Sequence, residues 1–370
     1  MTPQTEAELS AIIQQAEGPL RIEGGGTRPI GGPTNGARLS TARMSGLSLY
    51  EPGALTLVAQ AGTPLSEIEE TLAAQGQRLA FEPIDHRGLL GTEGTPTIGG
   101  VVAANVSGPR RIAVGACRDF LLGVRYVDGA GRIVKNGGRV MKNVTGYDLV
   151  KLMAGSYGTL GVLTEVALKV LPAPPAAATV TLRGLDDAQA IRALSRALGS
   201  PFEVTGAAHL PGKGETLLRL EGFAASVAYR AGRLRDLLAE FGTASIEDDP
   251  EAVAATWRGI RDVSAFHGRA GDVWRLSVKP SDAAGIVARL KGAEAVYDWG
   301  GGLVWLLLPP GRGERIHAAV AGAGGHATRL RGAGSGAFSP LPAPVAALHA
   351  GLRQRFDPRG ILNPGLMASA

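Results

Sequence analysis

The sequence predicts an α+β protein: a glycine-looped N-terminal region followed by a broad antiparallel sheet with helices on one face. Three observations lead there. Strand-like runs alternate with helix-like runs along all 370 residues, the pattern of a mixed protein. Glycine numbers 54, roughly twice its usual share, and much of the excess falls in three clusters before residue 165. Beyond the Pro172-Ala173-Pro174-Pro175 break, the order strand, helix, strand, strand, helix, strand occurs twice, as in two ferredoxin-like units placed side by side.

The elements follow from local signals. Thr5 and Glu8 form a capping box, and apolar residues recur at Leu9, Ile12, Ile13 and Ala16 until Gly18-Pro19 ends the helix. Leu20–Glu23 reads as a short strand entering Gly24–Arg28. Strand Leu55–Gln60 leads to Thr63-Pro64, an N-cap with proline behind it, and a helix ending near Gly76. Leu121–Val127 and Arg132–Lys135 flank Asp128-Gly129-Ala130-Gly131, a hairpin signal. Tyr147–Ala154 has helical spacing, and Val162–Val170 alternates as a strand until the prolines. The first repeat unit is Thr179–Arg183, Ala188–Leu198, Phe202–His209, Glu215–Glu221, Ala225–Glu240 and Thr243–Glu247. A helix over Glu251–Ser264 intervenes. The second unit is Trp274–Lys279, Ala283–Leu290, Ala293–Trp299, Leu303–Leu308, Arg315–Ala323 and His326–Leu330. A last helix, Val345–Arg355, precedes Asn363-Pro364-Gly365. The expected division is 1–172, 173–340 and a C-terminal segment 341–370 that returns to the first region.

Composition narrows the function. Hydrophobic residues at 45% and charged residues at 19% permit a large core. The net charge is +5, but no run of five basic residues occurs and aromatics are 5%, which argues against nucleic acid and fits anionic small ligands. Cys117 stands alone, so no intrachain disulfide or four-cysteine iron–sulfur site is possible, and a reducing, cytoplasmic setting is expected. No secretory signal or membrane span is visible; peripheral membrane association through partners stays open. The six histidines show no paired metal-ligand spacing, so no metal is expected.

The glycine clusters carry the chemistry. A diphosphate is best held by several backbone N–H groups, and glycine lets the main chain approach without a Cβ. Gly24–Arg28 follows a strand and ends in Thr27 and Arg28, both donors. Gly99-Gly100 and Gly155–Gly161 supply two further loops. No P-loop pattern exists, and Pro29 interrupts any dinucleotide fingerprint after Gly24.

Thr97-Ile98-Gly99-Gly100, Ala104-Asn105, Ser107-Gly108, Arg118-Asp119, Lys142–Leu149 and Gly158–Thr164, with the terminal Asn363-Pro364-Gly365, resemble the FAD-binding PCMH-type domain of the vanillyl-alcohol oxidase/p-cresol methylhydroxylase family. Gly137–Asn143, Trp257-Arg258-x-x-Arg261, Trp274–Ser277 and Asp298–Gly301 with Trp305 are similar to the FAD-binding subunits of glycolate oxidases. The resemblance implies a domain of two α+β subdomains and then a cap domain. It implies that Gly24, Gly25, Gly26, Thr27 and Arg28, with Thr97, Ile98, Gly99 and Gly100, wrap the pyrophosphate of FAD. Ala104, Asn105, Ser107 and Gly108 would lie near the ring system. Gly158, Thr159, Leu160, Gly161, Val162 and Leu163 would meet the adenosine side, and Asn363 would return to the flavin. Arg118 and Asp119 join this set, with a surface ion pair as the competing reading. Trp299 and Trp305 read as core.

Departures shape the expectation. Neither Gly24–Arg28 nor Thr97–Gly100 offers the His or Cys that anchors a covalent flavin, so FAD is expected to be non-covalent, with Cys117 a small buried residue. Tyr157 stands where related hydroxy-acid oxidising subunits carry an acid, and no histidine-rich substrate segment is present. No general base can be named. The resemblance therefore implies an FAD subunit of a glycolate oxidase complex that takes part in oxidising glycolate or a similar 2-hydroxy acid. A sister FAD subunit would hold the hydroxy-acid site, and an iron–sulfur subunit would carry electrons onward. The competing readings are a self-sufficient 2-hydroxy-acid oxidase and a flavin-free structural subunit.

Overall fold

The computed structural model describes residues 1–139, 146–311, 313–334 and 336–367. Part of the Gly137–Asn143 and Lys142–Leu149 motifs lies outside them. Two large sheets organise the chain. The first is built from β3 (Leu47–Glu51), β4 (Thr56–Gln60), β6 (Leu121–Val127), β7 (Ile133–Gly137) and β8 (Val162–Lys169), after a parallel pair of β1 (Leu20–Glu23) and β2 (Ala37–Ser40). Its order is β3-β4-β8-β6-β7, antiparallel throughout. The two-residue strands β5 (Gln77–Arg78) and β9 (Leu171–Pro172) pair where the chain leaves this region.

The second sheet has eight strands: β10 (Ala176–Arg183), β11 (Gly206–Leu210), β12 (Glu215–Gly222), β13 (Ala244–Glu247), β14 (Asp272–Ser277), β15 (Glu294–Asp298), β16 (Leu303–Leu308) and β17 (His326–Arg331). Their order, β13-β10-β12-β11-β15-β16-β14-β17, is that of two ferredoxin-like units joined edge to edge. The join is antiparallel and opposes His209 to Tyr297. The repeated order of elements in the sequence is thus a real structural repeat.

Two-residue periodicity sorts the side chains of this sheet onto two faces. On β14, Trp274 and Leu276 enter the core under the helices Pro280–Arg289 and Gly313–Ala321, while Val273 joins the core shared with the first region. On β16, Val304, Leu306 and Leu308 take the helix side, and Leu303, Trp305 and Leu307 the other. Burial on both faces explains the unbroken apolar run Leu303–Leu308. The second face of the sheet therefore turns toward the glycine loops.

A buried charge cluster also crosses this seam. Glu221 on β12 meets Arg78 at 2.8 Å and also Arg110, while Arg219 donates two 2.8 Å bonds to Glu82. The C-terminal segment then returns to β1. Leu362 bridges Leu20, and Asn363 Oδ1 accepts from the Ile22 N–H at 2.7 Å.

Local starts and stops differ in places from the sequence reading. Thr63 does not cap the helix Leu65–Ala73: its hydroxyl donates to Gly46 and Gln60 carbonyls, and Pro64 takes the cap position. The hydroxyl is used to tie two loops together and is lost to the helix. The helix near residue 150 is Leu149–Met153, capped by Asp148, because Tyr147 is 89% exposed and has no turn to pack on. The Thr5 hydroxyl accepts from the Glu8 N–H as expected, but the Glu8 carboxylate accepts from the Gln4 N–H and not from that of Thr5, so the capping box is half formed.

Candidate functional site

The three glycine loops converge. Gly24–Arg28 leaves β1, Thr97–Gly100 opens the short helix Ile98–Ala103, and Tyr157–Leu163 leads into β8. Together with Asn363 and Leu366 they line one cleft. Some of their glycines are needed for packing: a Cβ on Gly25 would lie 1.6 Å from the Thr95 carbonyl oxygen, and one on Gly24 2.3 Å from the Thr97 hydroxyl. Gly26 and Gly100 are different. A Cβ on Gly26 would meet nothing within 4 Å, and one on Gly100 nothing closer than 3.4 Å. Gly26 adopts φ 73°, a left-handed conformation that favours glycine, while Gly100 keeps the cleft itself clear.

The main-chain donors are free as well. Among the described residues, the N–H groups of Gly25, Gly26, Thr27 and Arg28 have no hydrogen-bond acceptor. Buried or half-buried N–H groups without partners are rare, and successive ones in a glycine bend form an anion cradle. The residues present fit a dinucleotide diphosphate.

A second cavity adjoins the first and shares Arg28, Ile30, Ala104 and Tyr157 with it. It lies between the glycine-loop region and the face of the eight-stranded sheet that turns toward those loops. Arg28, Arg111, Arg118 and Arg275 line it with His86 and His326, and no Asp or Glu does. Arg28 Nε donates to His86 Nδ1 at 3.1 Å, and its Nη2 to the Ile84 carbonyl at 3.3 Å. Burial lowers the Arg28 and Arg275 guanidinium pKa values to about 10. Burial, then the Arg28 charge, pushes the His86 imidazole down to about 3, so it is neutral at physiological pH. Burial raises the Tyr157 phenol, which stays protonated. Tyr157 itself is in the left-handed region, φ 53°, and donates its N–H to the Ala103 carbonyl.

The sequence-derived residues distribute unevenly over these two cavities. Gly24, Gly25, Gly26, Thr27, Arg28, Thr97, Gly99, Gly100, Ala104, Gly158, Gly161, Val162, Leu163 and Asn363 line the first. Asn105, Ser107 and Arg118 line the second. Ile98, Thr159, Leu160, Gly108 and Asp119 line neither. Ile98 and Leu160 belong to the core, and the Thr159 hydroxyl is spent on the Ser156 carbonyl. The Gly108 carbonyl accepts from Trp299 Nε1 at 3.0 Å. Asp119 accepts the Ala116 N–H at 2.8 Å as a helix-start cap, and its 3.8 Å approach to Arg118 is half-exposed.

Asn363 also holds the cleft wall, donating to the Tyr157 carbonyl at 2.9 Å. Cys117 is fully buried, its N–H donating to Ser107 Oγ. Trp305 is core, as read, but its edge floors the second cavity; Trp299 is only partly buried and sits on the seam.

Sequence reasoning left His86, Arg111, Arg275 and His326 without a role. One signal was available: Arg275 and Ser277 interrupt an otherwise apolar strand at the same parity as Val273, which places them on one face. Among the described residues no group of three His, Cys, Asp or Glu is arranged to hold a metal ion, and no helix is long and apolar enough to cross a membrane.

The cleft, its free amides and the adjoining cationic chamber define an FAD-binding oxidoreductase fold. Residues 1–137 match the FAD binding domain family. The chain is 39% identical to the glycolate oxidase subunit GlcE of Escherichia coli over 351 residues, 94% of this chain and 92% of that protein. It belongs to that family of FAD-linked flavoproteins, and FAD is its cofactor. A D-lactate dehydrogenase of Archaeoglobus fulgidus is 35% identical over 176 residues, and the glycolate oxidase subunit GlcD of Bacillus subtilis 32% over 180. The chain spans only 38% and 37% of those two proteins. The fold matches an alkyldihydroxyacetonephosphate synthase with a TM-score of 0.73 over 98% of this chain and 76% of that one, at 18% identity.

Proposed function

We propose that this chain is the FAD-binding subunit of a glycolate oxidase-type complex and takes part in oxidising glycolate or a similar 2-hydroxy acid to the 2-oxo acid. The observation that carries the reading is the continuity of the two cavities. A cleft with unpartnered amides suits the diphosphate, and it opens past Arg28 and Tyr157 into a chamber with four arginines and no carboxylate. We take residues 1–172 as the flavin domain, 173–340 as the cap and 341–370 as the returning segment.

Bound FAD supplies the two-electron acceptor when the alcohol carbon becomes a carbonyl. The chain's own groups orient the acid and manage the proton. His86 Nδ1 is occupied by Arg28, and the Tyr157 phenol is protonated. His326, at the exposed mouth of the chamber, is the remaining group able to accept the hydroxyl proton; partial burial and the Arg275 and Arg111 charges hold its imidazole below its usual range and so neutral. Non-covalent attachment is supported by the glycine cleft, whose lining holds neither His nor Cys. Electrons leave through partner subunits, because one cysteine cannot ligate a cluster; a sister FAD subunit and an iron–sulfur subunit fit that need.

The test is to co-purify the complex, count flavins per subunit after acid precipitation, and add glycolate without oxygen. The expected result is one FAD per copy of this chain, released by acid and bleached by glycolate. A colourless chain that takes up no FAD would overturn the reading in favour of a structural subunit. Turnover by this chain alone would favour a self-sufficient enzyme.

A further inference from the structure

Most of the buried arginines of this protein are satisfied by neighbouring residues. Those crossing the seam are neutralised: Arg78, Arg110 and Arg219 by Glu221 and Glu82. Arg331 and Arg359 donate to main-chain carbonyls. Arg111 and Arg275 are not. Among the described residues neither has a carboxylate within ion-pair distance or a carbonyl partner, and only the more distant Asp119 charge offsets Arg111; both guanidinium groups contact Trp299, whose ring centre lies 4.4 Å from the Arg111 guanidinium carbon and 5.2 Å from that of Arg275.

The placement comes from two separate parts of the fold. Arg275 projects from β14 on the face shared with Val273, toward the glycine loops. Arg111 starts the short helix Arg111–Val114, which follows Gly108. Trp299 links the two, since its indole N–H donates to the Gly108 carbonyl while its ring underlies both guanidinium groups. Two cations lining a chamber whose lining holds no acid repel each other and resist burial. Burial lowers both pKa values. A planar anion with two oxygens resolves both costs, because guanidinium forks match carboxylates.

We infer that Arg111 and Arg275 form a carboxylate site in this chain itself, seating the carboxylate of a short 2-hydroxy or 2-oxo acid between the glycine-loop region and the eight-stranded sheet. The inference rests on the proposed function for the identity of the acid. It goes beyond that reading, because it places an acid-binding site here rather than only in a sister subunit. The diphosphate does not claim these arginines, since of the chamber's arginines only Arg28 also lines the glycine cleft.

The experiment titrates oxalate, a non-oxidisable planar probe, into the FAD-loaded chain by calorimetry, and measures flavin content beside it. Native protein is expected to bind oxalate. Arg275→Met and Arg111→Met should each weaken binding by at least about tenfold, the lower range for a hydrogen bond to a charged group. Arg275→Lys, which keeps the charge and loses the fork, should fall between. FAD content should be unchanged, and Arg275→Met should melt no lower than native in oxalate-free buffer, since it removes an unpaired charge.

Native binding with no loss in any variant would overturn the inference. So would loss of FAD in place of oxalate, which would assign the arginines to the cofactor. If the chain takes up no FAD, the proposed function fails. The flavin-free chain then decides the site: oxalate binding lost in Arg275→Met sustains it, and no binding overturns it.

Discussion

Arg28 Nε donates to His86 Nδ1 at 3.1 Å at the point where the glycine cleft meets the arginine chamber. The contact fixes more than a distance. A guanidinium cannot accept, so Nδ1 must be the acceptor and the imidazole carries its proton on Nε2. One residue of the Gly24–Arg28 loop thereby sets the tautomer of a residue in the neighbouring cavity.

The first prediction concerns acid stability. His86 is pushed to about 3 in the folded protein, against about 6.5 in an unfolded chain. Between those values the unfolded state binds a proton that the folded state does not, so stability falls as pH drops below about 6.5. The slope approaches about 1.4 kcal/mol per pH unit. His86→Gln, which does not titrate, should flatten this limb in urea unfolding between pH 6.5 and pH 4. An unchanged slope would mean His86 titrates normally.

The buried Glu221 gives a second acid-side signature. Burial alone would raise its carboxyl, but Arg219, Arg78 and Arg110 pull it down to about 2. Its contribution is complete above about 4.5 and disappears as pH falls toward about 2. Glu221→Gln leaves three guanidinium groups without their shared anion and should cost about 3–5 kcal/mol at pH 7. Denaturant unfolding of the variant at pH 7 and native protein at pH 3 checks both halves of the statement.

Gly100→Val tests the cleft. A Cβ there touches Arg28 and Thr97 at 3.4 Å, so a methine carbon is tolerable, but the two further methyl groups must enter the cleft. Flavin absorbance should be lost while far-UV circular dichroism and the melting temperature of the flavin-free protein stay close to native. Full flavin occupancy in the variant would move the diphosphate elsewhere.

Asn363→Ala tests the returning segment. Asn363 is buried, with φ 45°, and its amide serves the Ile22 N–H and the Tyr157 carbonyl at once. Removing it orphans both groups, for about 2–4 kcal/mol in total, and loosens two walls of the cleft together. Lower stability with weaker FAD retention is expected; lower stability with native FAD affinity would confine Asn363 to a structural role.

Much of this site could be read from the chain. The Gly24–Arg28 loop was legible because a bend that must leave its amides bare tolerates few residues other than glycine; Thr97–Gly100 and Gly158–Leu163 were legible as glycine bends beside strands, although the Ile98, Gly99 and Gly100 N–H groups turn inward to the Thr63 carbonyl, the Ala61 carbonyl and the Thr97 hydroxyl. The paired ferredoxin-like units were legible because period-two and period-3.6 patterns survive any tertiary arrangement. Ile98, Thr159 and Leu160 were swept in with their motifs, since a motif does not say which of its side chains faces inward. Arg111, Arg275 and His326 were missed for the opposite reason: each is an ordinary surface-type residue in its own segment.

The sequence alone therefore determined the local matters, namely which stretches bend, which alternate and where backbone amides stay bare, because those depend on residues a few positions apart. The tertiary structure decided that His86 is neutral, that Glu221 is shared by three arginines, and that Arg111 and Arg275 face one chamber over Trp299. Those facts depend on desolvation and on charges brought together from segments up to about 190 residues apart, and only packing the eight-stranded sheet against the glycine loops brings them within reach.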